Sequence, residues 1–187
     1  SNYKKLKDLA REFNSQFLFE TNVGAGLPII ATLNDLVHSG DRVHKIQAVL
    51  SGTLNFVFNN YDGSRKFAEV VKQAQQEGYT EPDPRLDLGG TDVMRKIMIL
   101  AREAGQKIEM EDIVNNSFMP AICMQGSVDD FYAAMLKEEA HFKKLAADAN
   151  IAGCKLKFVA SFDNGKASVG LQHIDPKHDL YHLYGKD

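Results

Sequence analysis

The amino-acid sequence predicts an α+β domain: a mixed β-sheet with helices packed on one face. Three observations carry this reading. Residues 43–50, 156–162 and 167–173 show the apolar alternation of strands, and long stretches of helical periodicity separate the first from the other two. The last two strands are joined by Asp163-Asn164-Gly165-Lys166, a hairpin turn, whereas the first can join them only by a crossover. The chain has 187 residues, 44% hydrophobic and 25% charged, enough for one good-sized core. A sheet covered on one side still has a second face to bury.

In order along the chain, residues 3–13 form an amphipathic helix with Leu6, Leu9, Ala10 and Phe13 on one face. Residues 17–20 read as a short strand. The segment FETNVGAGLPII, residues 19–30, turns on Gly24 and Gly26 and starts a helix at Pro28, the favoured first helical position. That helix runs through Ile29, Ile30, Leu33, Leu36 and Val37 to Gly40. KIQAVLSGTLNFVFNN, residues 45–60, is a strand ending at Leu50, a Ser51-Gly52-Thr53 turn with a helix cap, and a short apolar helix. Residues 66–77 are helical. After Gly89-Gly90, Thr91 is the natural N-cap of a helix carrying Val93, Ile97, Leu100 and Ala101, with Gly105 as its stop. Residues 110–115 read as a short helix or turn, and 129–149 as one helix with Phe131, Met135, Phe142 and Leu145 as apolar points. The closing HIDPKHDLYHLYG suggests strands and turns.

The formal net charge is −3 with both signs mixed along the chain, so nothing points to nucleic acid or to an anionic membrane. No run is long enough to cross a bilayer and no leader resembles a signal, which reads as a cytoplasmic protein. Cys123 and Cys154 lack CxxC or CxxH neighbours and read as two buried thiols in a reducing compartment. His178 and His182 are four apart, but no third ligand accompanies them, so a zinc site is not expected. Ser1-Asn2 reads as a cloning scar.

The most informative span is residues 74–96, AQQEGYTEPDPRLDLGGTDVMRK. It holds five carboxylates, Lys96, two prolines and a glycine pair. Pro82 and Pro84 fix φ and push the residues before them toward extended backbone, so Glu81 and Asp83 sit on a stiff loop. Asp92 and Lys96 are i and i+4 on the following helix, acid before base. Alone, such a pair is a common solvated feature worth about 0.3–0.5 kcal/mol. A surface pair does not require the stiff acidic loop and the glycine turn before it, and the whole span points to a binding site for a small polar molecule. Glu81 is suited to an α-ammonium group. Lys96 is suited to moving the proton of an alcohol that becomes a carbonyl.

The pattern A-x-x-x-G-Y-T-x-x-D-P-x-x-D-L-x-G-x-D-x-x-x-K over this span resembles the signature of homoserine dehydrogenases at every fixed position. The resemblance implies that Glu81 and Asp92 bind the amino acid substrate and that Lys96 is the catalytic acid/base. It adds Tyr79 and Asp87 to the substrate site, Asp87 as support for the hydrogen-bond network. It also implies that the SGT turn lies against substrate and cofactor, with Gly52 and Thr53 in contact. In that family the loop matching residues 19–30 holds a monovalent cation, usually sodium, through a glutamate and backbone carbonyls, which here are Glu20, Val23, Ala25 and Leu27. Read from the residues alone, that loop is a strand-to-helix turn. Its G-x-G is not a dinucleotide fingerprint, because Ile29 stands where the third glycine belongs.

The resemblance covers nearly the whole chain but corresponds to the middle and later part of such an enzyme. It implies a NAD(P)-binding Rossmann domain upstream, which no G-x-G-x-x-G here supplies, with residues 1–16 as its end and a return segment after Asp187. The fragment alone is therefore expected not to turn over. The region after Asn115 resembles the form fused to an aspartate kinase. A homodimer through the sheet is implied as well. Two competing classes remain at this point: a non-catalytic amino-acid-binding module and a pure dimerisation module.

Overall fold

Two strands and a tight turn organise the sheet. β3 (Lys155–Asp163) and β4 (Lys166–Ile174) pair antiparallel along their full length through Asn164 and Gly165, with φ of 47° and 85°. Two successive positive-φ residues match the right-handed twist of a hairpin. β1 (Lys45–Ala48) adds antiparallel to β3, and β2 (Ile113–Asn116) adds parallel to β4, giving the order β1-β3-β4-β2. The structure, a computed structural model, describes residues 2–185. Ser1 of the expected scar and the last two residues lie outside them.

The helices are α1 (Tyr3–Glu12), α2 (Thr21–Gly24), α3 (Ile29–His38), α4 (Gly52–Asn60), α5 (Phe67–Gln76), α6 (Arg85–Leu88), α7 (Thr91–Glu103), α8 (Val128–Lys137) and α9 (Glu139–Ile151). Phe158, Ala160 and Phe162 of β3 and Ala167 and Val169 of β4 share one face of the sheet and one core with the buried residues of α4, α5, α7, α8 and α9. Aromatic packing concentrates there. Phe67 stacks on Phe142 at 4.1 Å between ring centroids and meets Tyr61 and Phe118 edge-on. The mixed sheet with helices on one face is the predicted class.

Several local expectations are corrected. Residues 110–115 form a single 3-10 turn, Met110–Asp112, followed by the strand β2. Only Ile113 of that strand is buried, so its IVNN carries no alternation, and pairing with β4 is what makes it a strand. Its close approach depends on Gly170, where an added Cβ would meet Asn116 Cβ at 2.8 Å. Residues 17–20 are not a strand, since no neighbouring backbone completes a ladder there. The long helix expected over 129–149 is two, broken at Glu138. Cys123 is buried but Cys154 only half so, and both thiols are free. The terminal segment contains a 3-10 turn, Asp179–His182. None of the described helices is long and apolar enough to cross a membrane.

Candidate active site

The glycine pair before α7 is a steric requirement. Gly90, not Thr91, is the N-cap of α7, at φ 75°. A Cβ on Gly90 would lie 2.8 Å from Cζ of Phe158, and one on Gly89 would lie 2.9 Å from the Arg85 carbonyl. The first turn of α7 is thus pressed onto β3, while Gly89 closes α6 by donating its N–H to the Arg85 carbonyl at 2.9 Å. Thr91, whose hydroxyl was expected to cap, is the first helical residue and makes no cap bond. Val93, Ile97, Leu100 and Ala101 face the core, which turns Asp92 and Lys96 outward together.

Lys96 Nζ lies 2.8 Å from Asp92 Oδ2 and donates to the Leu50 carbonyl at 2.9 Å. Its side chain is 22% exposed against 56% for Asp92. This is not a loose surface pair: the ammonium is held across to the end of β1, where the chain leaves the sheet for α4. Ser51 there accepts the Leu54 N–H and caps α4, so Gly52 and Thr53 are its first helical residues rather than a separate turn.

Lys96 lines a cleft of about 440 Å³ together with Leu50, Ser51, Gly52 and Asn55. Val23, Ala25 and Leu27 of the predicted cation loop line the same cleft. The fold therefore brings the two implied sites, separated by some 70 positions in sequence, onto one cavity.

The acidic loop forms a second cluster around Asp87. One carboxylate oxygen accepts the Glu81 N–H at 2.9 Å; the other meets the Thr53 hydroxyl at 3.1 Å. That hydroxyl also donates to the Tyr79 carbonyl, and the Tyr79 ring stacks on Phe56 at 4.2 Å. Asp87 thus ties the backbone of Glu81 to α4, while Thr53 is buried and does not line the cleft. Burial holds the Asp87 carboxyl above the ordinary carboxylate value, against the lowering effect of its two hydrogen bonds. The charges of Glu81 and Asp92 push it the same way. Glu81 itself is exposed. Asp83, its neighbour on the stiff loop, is engaged elsewhere, forked onto Arg85 at 2.6 Å.

In the glycine loop, Glu20 does not line the cleft. Its two carboxylate oxygens accept the Ile30 and Ala31 N–H groups, each at 2.7 Å, so it caps α3 from ten residues upstream. Pro28 accordingly sits at the N-cap position, one residue before the helix it was expected to begin. Ala25 adopts φ 49° and ψ −110°, a conformation rare for a residue with a side chain. Val23 is buried and Leu27 is 45% exposed.

Sequence reasoning missed the Leu50 carbonyl, Asn55 and the C-terminal residues Leu180 and Leu183, which complete the wall of the cleft. A backbone acceptor has no sequence signal. The tail had one: Lys157 is the only charge inside an otherwise apolar strand run, LKFVASF, and Asn55 and Asn59 are spaced i and i+4.

The family model described as homoserine dehydrogenase matches residues 28–187. The chain is 43% identical to the bifunctional aspartokinase/homoserine dehydrogenase 2 of Escherichia coli, over 97% of this chain and 22% of that protein. It is 40% identical to the homoserine dehydrogenase of Emericella nidulans, over 99% of this chain and 54% of that one. Among solved structures, a Candida auris protein of unknown function superimposes with a TM-score of 0.86 at 36% identity, covering 97% of this chain and 55% of the other. A hyperthermophilic archaeal homoserine dehydrogenase in complex with NADPH shares the fold, with a TM-score of 0.70 at 22% identity, covering 97% and 47%. The chain spans about a fifth of the bifunctional relative and about half of the fungal one. With its signature span, fold and cleft in place, the chain belongs to the homoserine dehydrogenase family.

Proposed function

We propose that this chain is the substrate-binding and catalytic part of a homoserine dehydrogenase that interconverts L-homoserine and L-aspartate 4-semialdehyde. The observation that carries the reading is the Lys96 ammonium, held between Asp92 and the Leu50 carbonyl at the wall of a cleft. Oxidation of homoserine removes a hydride from C4 and a proton from the hydroxyl oxygen, forming the carbonyl. As the neutral amine Lys96 takes that proton and becomes the ammonium, and the ammonium returns it in the reverse direction. Glu81 and Asp92 hold the α-ammonium by charge, and Asp87 is the positioning residue that sets the Glu81 backbone on α4. Tyr79 contributes through its carbonyl on Thr53 and its ring on Phe56.

A nicotinamide dinucleotide, NAD or NADP, supplies or accepts the hydride when bound. The residues here fit a flat ring at the cleft: Gly52 offers a first helical turn without a side chain, and Leu27, Leu180 and Leu183 give an apolar wall. Thr53 supports that turn from behind. Residues 1–16 are read as the end of the nucleotide-binding domain that completes the site.

The glycine loop fits a hard monovalent cation such as sodium. Its donors are oxygens only, the carbonyls of Val23, Ala25 and Leu27, with the Glu20 carboxylate supplying charge from the adjoining α3 cap. The rare conformation of Ala25 supports a shaped loop. A homodimer through the sheet would use its second face, where Ser168 and Gln172 are only partly buried and Val114 is 57% exposed.

Calorimetric titration of L-homoserine into the chain with sodium present, beside the Asp92→Asn variant, tests the assignment. Saturable binding that the substitution weakens is the expected result. Equal binding by both proteins would move the substrate away from Lys96.

A further inference from the structure

Lys157 is the one lysine fully removed from solvent among the described residues, and no carboxylate among them pairs with it. It belongs to β3, on the face opposite Phe158, and its ammonium meets three acceptors. These are Asn55 Oδ1 at 2.9 Å, Asn59 Oδ1 at 2.7 Å and the Leu183 carbonyl. Three N–H donors and three acceptors leave no hydrogen of the ammonium unmatched. The two asparagines sit one turn apart on α4 and use their amide hydrogens in the same way. Asn55 Nδ2 donates to the Gly185 carbonyl at 2.7 Å, and Asn59 Nδ2 to the Leu183 carbonyl at 3.1 Å.

The tail after β4 is therefore bound through its backbone, by a buried cation and two amides. Lys155, two residues earlier on β3, adds to this by lying 4.0 Å from the ring centroids of both Tyr181 and Tyr184. Within the same stretch, Leu180 and Leu183 form the wall of the cleft that faces Lys96 and Gly52. A buried ammonium without a counterion is costly, and an apolar residue would fill a strand interior at less cost. Burial, with Lys155 nearby, lowers the Lys157 ammonium to about 8.

We propose that Lys157 is a positioning residue: it clamps the C-terminal tail onto α4 and so holds Leu180 and Leu183 in place as one wall of the catalytic cleft. Retaining a charged side chain inside the fold then has a local purpose. It fixes a segment that has few apolar anchors of its own, and it links that segment to the helix whose first turn carries Gly52 and Thr53.

Hydrogen exchange of the full chain read by mass spectrometry, with the melting temperature measured in parallel, tests this on Lys157→Met. Methionine keeps the apolar stem and removes the three donors. The expected result is exchange in residues 180–185 faster by roughly tenfold or more, the scale of lost charge-assisted hydrogen bonds. The melting temperature and the protection of α5, α7 and the β3–β4 hairpin stay level or rise. Unchanged exchange in residues 180–185 overturns the proposal, as does a loss of protection spread evenly over the whole chain, which would mark a plain core residue. Asn59→Leu, which removes one acceptor, is expected to move the same amides by a smaller factor and serves where Lys157→Met does not fold. The readout is the tail alone, so it stands or falls separately from homoserine binding.

Discussion

The arm formed by residues 2–38 and the body from α4 to β4 are held together in different ways. The body is built on fully buried rings: Phe67, Phe131, Phe142, Phe158 and Phe162 are at most 1% exposed, although Leu86, Val114, Ile122, Leu136 and Ile151 on its surface are between 48% and 86% exposed. The arm leaves Leu6, Leu9, Phe13, Phe17, Leu18, Leu27 and Leu36 between 37% and 80% exposed. Where apolar contact is thin, specific polar contacts fasten the arm instead. Glu103, at the last turn of α7, has a side chain only 1% exposed and accepts from Lys7 at 2.7 Å and from the Tyr3 hydroxyl. A carboxylate at the end of a helix opposes the helix dipole, so its place there is justified by α1 rather than by α7. The body can stand on packing. Beyond the buried Val23, Ile30 and Leu33, the arm depends on a few named contacts, and one of them ends on the helix that carries Lys96.

The largest expected contrast comes from truncating one apolar side chain in each region. Phe67→Ala removes the ring that touches Tyr61, Phe118 and Phe142, and should cost about 3–5 kcal/mol in a denaturant titration. Leu9→Ala on the arm should stay within about 0.5 kcal/mol, as for a surface change. Similar losses from both would erase the distinction.

A smaller effect is expected at the tether. Lys7→Met leaves the buried Glu103 carboxylate short of its charged partner, at a cost of roughly 1–3 kcal/mol. Exchange protection should fall first in residues 3–12 and at the end of α7, and the β3–β4 hairpin should not change. Uniform loosening would mean that arm and body unfold as one.

The smallest effect is electrostatic and sharpens the picture inside the body. Burial raises the Asp87 carboxyl above its ordinary 3.8, so the native chain binds that proton more tightly than the unfolded chain. Between 3.8 and the raised native value, the native state holds more protons, and stability falls as pH rises. Asp87→Asn removes the titration. Its melting temperature relative to the parent should therefore climb as pH passes upward through that window and then level off, while homoserine binding weakens. A gap that narrows with rising pH would contradict the burial of Asp87.

Much of the architecture was legible because it is local. The Asn164-Gly165 hairpin, the periodic apolar face of α7 and the stop at Gly105 each follow from a few neighbouring residues. The signature residues were legible for the same reason, since Glu81, Asp87, Asp92 and Lys96 lie within sixteen positions. What could not be read was set by partners far away in sequence. IVNN becomes β2 only beside β4, and FLFE stays out of the sheet because no strand receives it. The Thr91 cap failed because Phe158 demands a bare Gly90 at the helix entry.

The sequence by itself determined the family, the class of fold and the identity of the charged groups, because signature spacing, periodicity and turn chemistry are written along the chain. Tertiary structure alone decided which of those groups share a cavity. It placed Lys96 against the Leu50 carbonyl, committed the Glu20 carboxylate to the start of α3, turned Thr53 inward, and brought a tail more than 80 residues away to close the cleft. Those outcomes depend on packing and on backbone acceptors, and a peptide carbonyl is the same in every residue until the fold aims it.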